Sequence, residues 1–448
     1  PRPSVSGRVV GVLLMGVGVA APWAGKPAIL ASVKERIPMD IIAQILSHNA
    51  GREPERLQRK YDRMRESAFV FLRATCPLFW RRLPAGLALF EAGPDGAPPV
   101  WSCGDLHFEN VGSYEGDNLQ TYFDINDFDE SALAPASWDL LRLLASLRVG
   151  ADTLEIDAEA ARALCRTTLQ AYVQALRRGK AFWIERDVAD GVVRELLDQL
   201  RRRDAEAFLD KRSSGRGASR RLKVDGKRAL KASEAEQQQV CAFMADFAAT
   251  QPDPDFFRVL DVERRVAGTG SLGLARWVVL VQGEGGDSGQ RLLDLKQAVP
   301  SSLEALLPAH GVAQPVWPDA ATRIVTLQQR LQAVPMAWLH AVRLGDMPCV
   351  LRELQPTEDR VSLDRATTSG EALRDFAATL GRLLAWAQLR SGGQGGSATA
   401  DALIAFGERQ DWHASMLDTA ETMALQVEQD WAAYAAAHDA GRFRVFAG

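Results

Sequence analysis

This sequence has little with which to build covalent or sulfur-based structure. Its five cysteines (Cys76, Cys103, Cys165, Cys241, Cys349) are odd in number and scattered, with no Cys-x-x-Cys pair and no His/Cys ligand spacing. That argues against a disulfide framework and a zinc site, and fits a reducing compartment. An excess of either charge is missing too. The 53 Lys and Arg stand against 57 Asp and Glu, a net −4, so no global basic field marks a nucleic-acid binder. No apolar run reaches membrane-spanning length. RVVGVLLMGVGVAA at 8–21 is too short to span a bilayer and has the size of a secretory h-region. Residues 1–38 are therefore expected to be a leader, disordered or signal-like, ahead of a cytoplasmic protein. There is no internal repeat.

What is present is a long chain with a large apolar fraction. At 448 residues, 47% hydrophobic, it can bury a core spanning two or three structural units. Residues 40–90 read as amphipathic, basic helix. Strand, turn and strand follow in PAGLALFEAGPDGAPPVWSCGD, and LQTYFDIND is β-rich. From ASWDLLRLLASLRVGA to about 250, apolar residues recur at helical spacing. That region is interrupted by KRSSGRGASRRLKVDGKRALK at 211–231. After QPDPD, residues 256–299 read as strands joined by glycine-rich turns. A helix at 322–333, two strands about a Gly-Asp turn, a hinge-like LRELQP (351–356) and helices from 368 complete the chain. The expected division is a helical catalytic lobe at 39–255, a β-rich nucleotide lobe at 256–360, and helices at 361–448 returning to the first lobe.

Two clusters carry chemistry. In GDLHFEN, Asp105 and Asn110 stand five residues apart, the spacing of the protein-kinase catalytic loop. Phosphoryl transfer needs a carboxylate to receive a hydroxyl proton and oxygens to hold Mg²⁺, and an Asn carbonyl is such an oxygen. FDINDFDE follows a strand pattern, as a metal-binding Asp after that loop should. The order GDLHFEN, INDFDE, WDLLRL resembles small-molecule kinases of the aminoglycoside-phosphotransferase and choline-kinase type. That resemblance makes Asp127 the metal Asp, with Asp124 its competitor, and makes Asp139 a buried helix Asp that props the catalytic loop. Asp129 and Glu130 are read as helpers or solvated acids. His107 orders the loop or is simply a satisfied, half-buried histidine.

GTGSLG at 268–273 is followed by LARWVVLVQG, a strand rather than a helix. Strand, glycine turn, strand is the arrangement of the loop that covers phosphates in kinases, where glycine lets backbone approach phosphate oxygens. Gly268, Gly270, Ser271 and Gly273 are its candidate residues. Lys296 in LLDLKQA stands where the phosphate-contacting strand Lys belongs, and Glu304 is the nearest candidate acid to pair with it.

In ordinary kinases these parts precede the catalytic loop, and here they follow it by more than 150 residues. Circular permutation accounts for that order. KYDRMRESAFVFLRAT, CGDLHFEN, FDINDFDE, SWDLLRLLASL and RVAGTGSLG…LDLKQA together resemble the bacterial family catalogued as domain of unknown function 2252, over roughly residues 25–395. The chain departs from that pattern at Ala68, at Ala74 and in AWAQLRSGG. The resemblance extends to the kinase-like superfamily.

The expected fold is thus α+β, two-lobed and kinase-like, circularly permuted. The expected function is an ATP- and Mg²⁺-dependent phosphotransferase acting on a hydroxyl of a small-molecule or protein acceptor, not on nucleic acid. Nucleotidyl transfer on the same scaffold and a nucleotide-binding pseudokinase are the alternatives. The basic segment 201–231 holds twelve Lys and Arg with a single aromatic, Phe208, so base stacking is not expected of it. It reads either as a solvated loop or as a site for an anionic acceptor.

Overall fold

Side-chain caps start most of the described α-helices, and glycine ends two of them, at Gly150 and Gly179. The computed structural model describes residues 40–445 apart from 94, 287, 356–358, 362 and 364–367. The leader expected over 1–38 and the last residue of LRELQP lie outside the described residues.

The described residues open with four short helices rather than one long one: α1 (Ile41–His48), α2 (Pro54–Met64), α3 (Ala68–Ala74) and α4 (Cys76–Arg81). Asp40, Glu53 and Ser67 each accept backbone N–H bonds at a helix start and so divide the run. Two antiparallel pairs follow. β1 (Pro99–Ser102) pairs with β4 (Ala132–Pro135), and between them β2 (Val111–Glu115) pairs with β3 (Thr121–Ile125). Next come α5 (Ser137–Val149), α6 (Ala158–Arg178), α7 (Gly191–Arg201) and α8 (Ala205–Asp210). All thirteen residues of α5 are buried. A helix buried on every side belongs at the centre of a bundle, and α5 packs against α6 and the C-terminal helices, with its polar residues Asp139, Arg142 and Arg148 paired inside.

The basic segment is not a bare loop. It forms β5 (Ser213–Ser214), β6 (Arg221–Leu222) and β7 (Ala229–Leu230), and α9 (Glu234–Ala249) follows behind a Ser233–Glu236 capping box. Then come β8 (Val259–Arg265), β9 (Arg276–Val281), β10 (Arg291–Gln297), α10 (Ala320–Leu331), β11 (His340–Leu344) and β12 (Met347–Glu353). The chain closes with α11 (Gly370–Arg390), α12 (Ala400–Glu408) and α13 (His413–Asp439).

The result is a mixed α+β protein with one curled antiparallel sheet, ordered β11-β12-β10-β9-β8-β7. The β-rich unit reaches further back than the expected 256, because β7 joins the sheet edge and α9 covers one face. On that face Val240 and Met244 pack against Val262, Val279, Leu293 and Leu295. Strand alternation sends the intervening residues to the other face. There Lys296 lies beside Arg276, and Asp294 lies between Val278 and Arg352. This second face borders a cleft.

Candidate active site

The loop Cys103–Asn110 leaves β1 and is held from beneath by α5. Asp139 on the first turn of α5 accepts the N–H of Cys103 (2.9 Å) and of Gly104 (3.0 Å), as the resemblance implied. Gly104 turns with φ +80°, and an added Cβ would strike the Glu130 carbonyl at 2.1 Å. His107 orders the loop: its Nδ1 accepts from Glu109 N–H and its carbonyl from Asn110 N–H. It is buried, and burial, with Arg73 and Arg142 nearby, keeps it well below the usual histidine range.

Asp105 projects from this loop into a cavity of about 830 Å³. Arg142 Nε donates to its Oδ1 at 2.6 Å. Arg142 is itself fully buried, with its guanidinium over the Phe79 ring. No donor among the described residues reaches Asp105 Oδ2. Burial pushes Asp105 up to about 7, against the pull of Arg142 and with help from Glu130 and Asp127. That places it where a general base is poised at neutral pH. Sequence reasoning quoted Arg142 within WDLLRL and gave it no role. Its signal is an arginine three residues after a buried Asp on an apolar helix.

Asn110 Nδ2 donates to the carbonyls of Asp105 (3.1 Å) and Asp127 (3.3 Å). Its Oδ1 finds no donor among the described residues and is left for the cavity it lines. The Asp127 side chain is 49% exposed. Burial opposes its charge, but Lys296, Arg352 and Arg276 hold it below the ordinary carboxylate range. Lys296 lies 3.9 Å from Asp127 Oδ1 and is ion-paired directly to Asp129.

Two expected roles move. Asp124 does not reach the cavity. Its carboxylate accepts from Ile125 and Ala333 N–H and lies 3.5 Å from Arg390, on the β2–β3 hairpin. Glu304 pairs with Arg323 at 3.3 Å rather than with Lys296, whose acid is Asp129. The Asp129 pairing spans 167 residues of chain, so sequence proximity was the wrong guide.

The glycine-rich loop is tied down by its carbonyls. Lys60 Nζ donates to Gly270 O (2.8 Å). Arg52 Nη1 donates to Gly270 O (2.6 Å) and Leu272 O (2.9 Å). Glu53 N–H reaches Gly273 O at 2.9 Å. Lys60 is fully buried, and burial, with Arg52 beside it, holds it well below the usual lysine range. Gly268, Thr269, Gly270 and Ser271 line the cavity with Asp105, and their N–H groups meet no acceptor among the described residues. Free N–H groups at a glycine turn make a concave site for an anion. Gly273 lies outside that lining. Its φ is +90°, and an added Cβ would meet Arg52 at 2.8 Å. Arg52 and Lys60 were missed in the sequence. The signal for Lys60 is a cation on the apolar stripe of α2, where Arg56 and Lys60 are buried with Leu57, Tyr61 and Met64; Arg52 precedes the helix and has no such signal.

The cavity continues into a channel of about 1230 Å³ through Arg73, Asp127, Gly268, Thr269 and Arg360, which line both. Nine Lys and Arg line this channel against Glu109 and Asp127. Buried Asp294 holds Arg276 (2.7 Å), Arg265 (2.8 Å) and, more loosely, Arg352 (3.8 Å) on the sheet face. Beyond it an apolar slot of about 590 Å³ is floored by Val278, Leu292 and Leu354, and shares Arg228, Arg265, Val266 and Ala267 with the channel.

The described residues contain no group of three or more His, Cys, Asp or Glu placed to hold a metal ion. The donor set still fits Mg²⁺, which takes one or two protein oxygens and completes its shell with water and phosphate. Asn110 Oδ1 and the Asp127 carboxylate are the oxygens that would hold it. No helix among the described residues is long and apolar enough to cross a membrane.

Fold and site together define a mixed α+β protein whose sheet and helical body share one cleft lined by cations and acids. The chain belongs to the family described as an uncharacterized protein conserved in bacteria (DUF2252), whose model matches residues 52–437. No curated protein and no solved structure matches the chain.

Proposed function

We propose that this chain is a kinase-like phosphotransferase with a circularly permuted two-lobe fold, moving the γ-phosphoryl group of Mg·ATP to a hydroxyl of its acceptor. The observation that carries the reading is the order of the cleft. An apolar slot leads to a cationic channel, and the channel leads to a chamber with Asp105. Base, phosphate chain and transfer centre match those three environments in sequence. Lys296 and the N–H groups of the glycine loop hold phosphate oxygens. Asn110 and Asp127 hold Mg²⁺, which supplies neutralisation of charge on the phosphate oxygens. Asp105 Oδ2 takes the acceptor's hydroxyl proton as that oxygen bonds to the γ-phosphorus. The bond from the γ-phosphorus to the bridging oxygen breaks, and ADP leaves.

Purified protein with Mg²⁺ and ATP labelled at either the α or the γ position tests this. The expected products are ADP and a γ-labelled acceptor or phosphate. AMP with pyrophosphate, and α-label on the acceptor, would replace phosphoryl with nucleotidyl transfer. Absence of any Mg·ATP binding would end both.

A further inference from the structure

The basic segment divides sharply once folded. Arg203 is paired with Asp359, Arg216 with Glu206, Arg220 with Asp210, and Lys231 with Glu263. Arg220, a natural choice for an acceptor contact from sequence, is fully buried against Asp210 and Ser213 and is structural. Lys227 and Arg228 are different. Both are exposed, both line the cationic channel, and neither has a carboxylate within ion-pair distance among the described residues.

The turn that carries them is built. The Asp225 carboxylate accepts from the N–H groups of Lys227 (2.8 Å), Arg228 (2.6 Å) and Ala229 (3.2 Å). Gly226 turns with φ +68°, and its carbonyl accepts from Arg59 Nη1 on α2 at 2.5 Å. From Ala229 the chain enters the sheet edge as β7. The turn is therefore anchored to the helical body on one side and to the sheet on the other.

The charge in the channel asks for a ligand. Arg265 and Arg276 are held by Asp294, Lys296 by Asp129, and Arg73 by Glu109. Arg63 and Arg360 join Lys227 and Arg228 in lining the channel without a carboxylate partner among the described residues. Four uncompensated cations in one channel of a chain with net charge −4 attract a compact polyanion.

We infer that the Asp225–Arg228 turn is a phosphate-binding element, in which Lys227 and Arg228 take oxygens of a polyphosphate chain lying in the channel. The inference deepens the phosphotransferase reading and rests on it for the identity of the ligand as a nucleoside triphosphate. It assigns the basic segment to the nucleotide rather than to the acceptor.

The test is calorimetric titration of the full chain with tripolyphosphate, Mg·ATP and adenosine, for parent, Lys227→Ser/Arg228→Ser and the charge reversal Lys227→Glu/Arg228→Glu. Both side chains are exposed and without a carboxylate partner, and Arg228 Nη1 makes only a long bond to the Lys211 carbonyl (3.3 Å), so the variants are expected to melt close to the parent. Tripolyphosphate and Mg·ATP affinity should each fall about tenfold in the Ser variant and further in the Glu variant, with a weaker salt dependence than the parent. Adenosine binding should change far less than tripolyphosphate binding, because only Arg228 of the pair also borders the slot. Unchanged tripolyphosphate affinity in both variants overturns the inference while leaving ATP turnover to speak for the enzyme. Tripolyphosphate binding that depends on these residues, without ATP turnover in the parent, keeps the anion site and ends the kinase-like reading. A parent that binds no polyphosphate ends both.

Discussion

The two loops that meet in the cleft are held in opposite ways. In the Cys103–Asn110 loop, acceptors from below take the backbone N–H groups. Asp139 takes two, Ser146 Oγ takes that of Phe108, and His107 takes those of Glu109 and Asn110. What remains for a ligand is side-chain oxygen, on Asp105 and Asn110. In the glycine loop, cations take the carbonyls and leave the N–H groups. The anchors decide what each loop offers: one presents acceptors, the other presents donors. A phosphoryl group attacked by a hydroxyl needs both, on facing walls.

That contrast is sharpest at Asp105. Asp105→Asn should lower turnover by about 10²–10⁴-fold while leaving Mg·ATP affinity near that of the parent. Equal loss of binding would show that the base also holds the nucleotide. The pH profile gives a second readout. With its carboxyl raised from 3.8 to about 7, activity should rise through neutral pH and level above it, and the rise should vanish in Asp105→Asn. The raised value also means that the native state binds this proton more tightly than the unfolded chain. Its contribution to stability is therefore present below 3.8 and lost as pH rises through about 7. A limb near 4 would break the assignment.

The anchors should separate cleanly. Asp139→Ala leaves the buried Cys103 N–H without an acceptor and Gly104 N–H with only Ser102 Oγ (3.1 Å), and should cost about 2–3 kcal/mol of stability, read as a fall in Tm. Lys60→Met should cost about 1–3 kcal/mol, because Gly270 O keeps its bond from Arg52 but the buried Asn49 Oδ1 loses its donor. Its larger effect should be on tripolyphosphate affinity, about tenfold, as the loop's N–H groups lose their aim. A Lys60→Met protein that binds polyphosphate like the parent would show that the carbonyl anchors do not set the donors. The smallest effect is expected at Gly268, where φ is +76° and an added Cβ would meet only the movable Ser271 Oγ at 2.8 Å. Gly268→Ala should cost about 1–2 kcal/mol and a few-fold in affinity. No change in either would mean that the turn relaxes freely.

Much of the local structure could be read from the residues alone. The β9 and β10 strands, the Gly-Asp hairpin of β11 and β12, and the long helix after 368 follow from alternation, turn chemistry and apolar spacing. So does the separation of helical body from β-rich unit, although not its boundary. β7 is two residues long, and only its partner β8 makes it a strand. The run at 40–90 looked like one helix because its apolar spacing continues across the caps at Glu53 and Ser67 that divide it. At the site, Asp105, Asn110, Asp127, Lys296 and the glycine loop were legible because their types and spacing answer a chemical need. Asp124 and Glu304 were misplaced because only the fold supplies Arg390 to one and Arg323 to the other.

By itself the sequence determined which elements form, which loop carries the acid and the amide, and which turn carries the glycines. These are short-range properties of periodicity, capping and backbone freedom. The tertiary structure alone decided the pairings: Lys296 with Asp129, Asp105 with Arg142, the Gly270 carbonyl with Lys60, and Lys227 in the channel rather than on a solvated face. Each joins residues 37 to 210 positions apart or a turn to a distant wall. Coulomb attraction and desolvation act through space, and no local pattern records which distant partner the packed core will bring within reach.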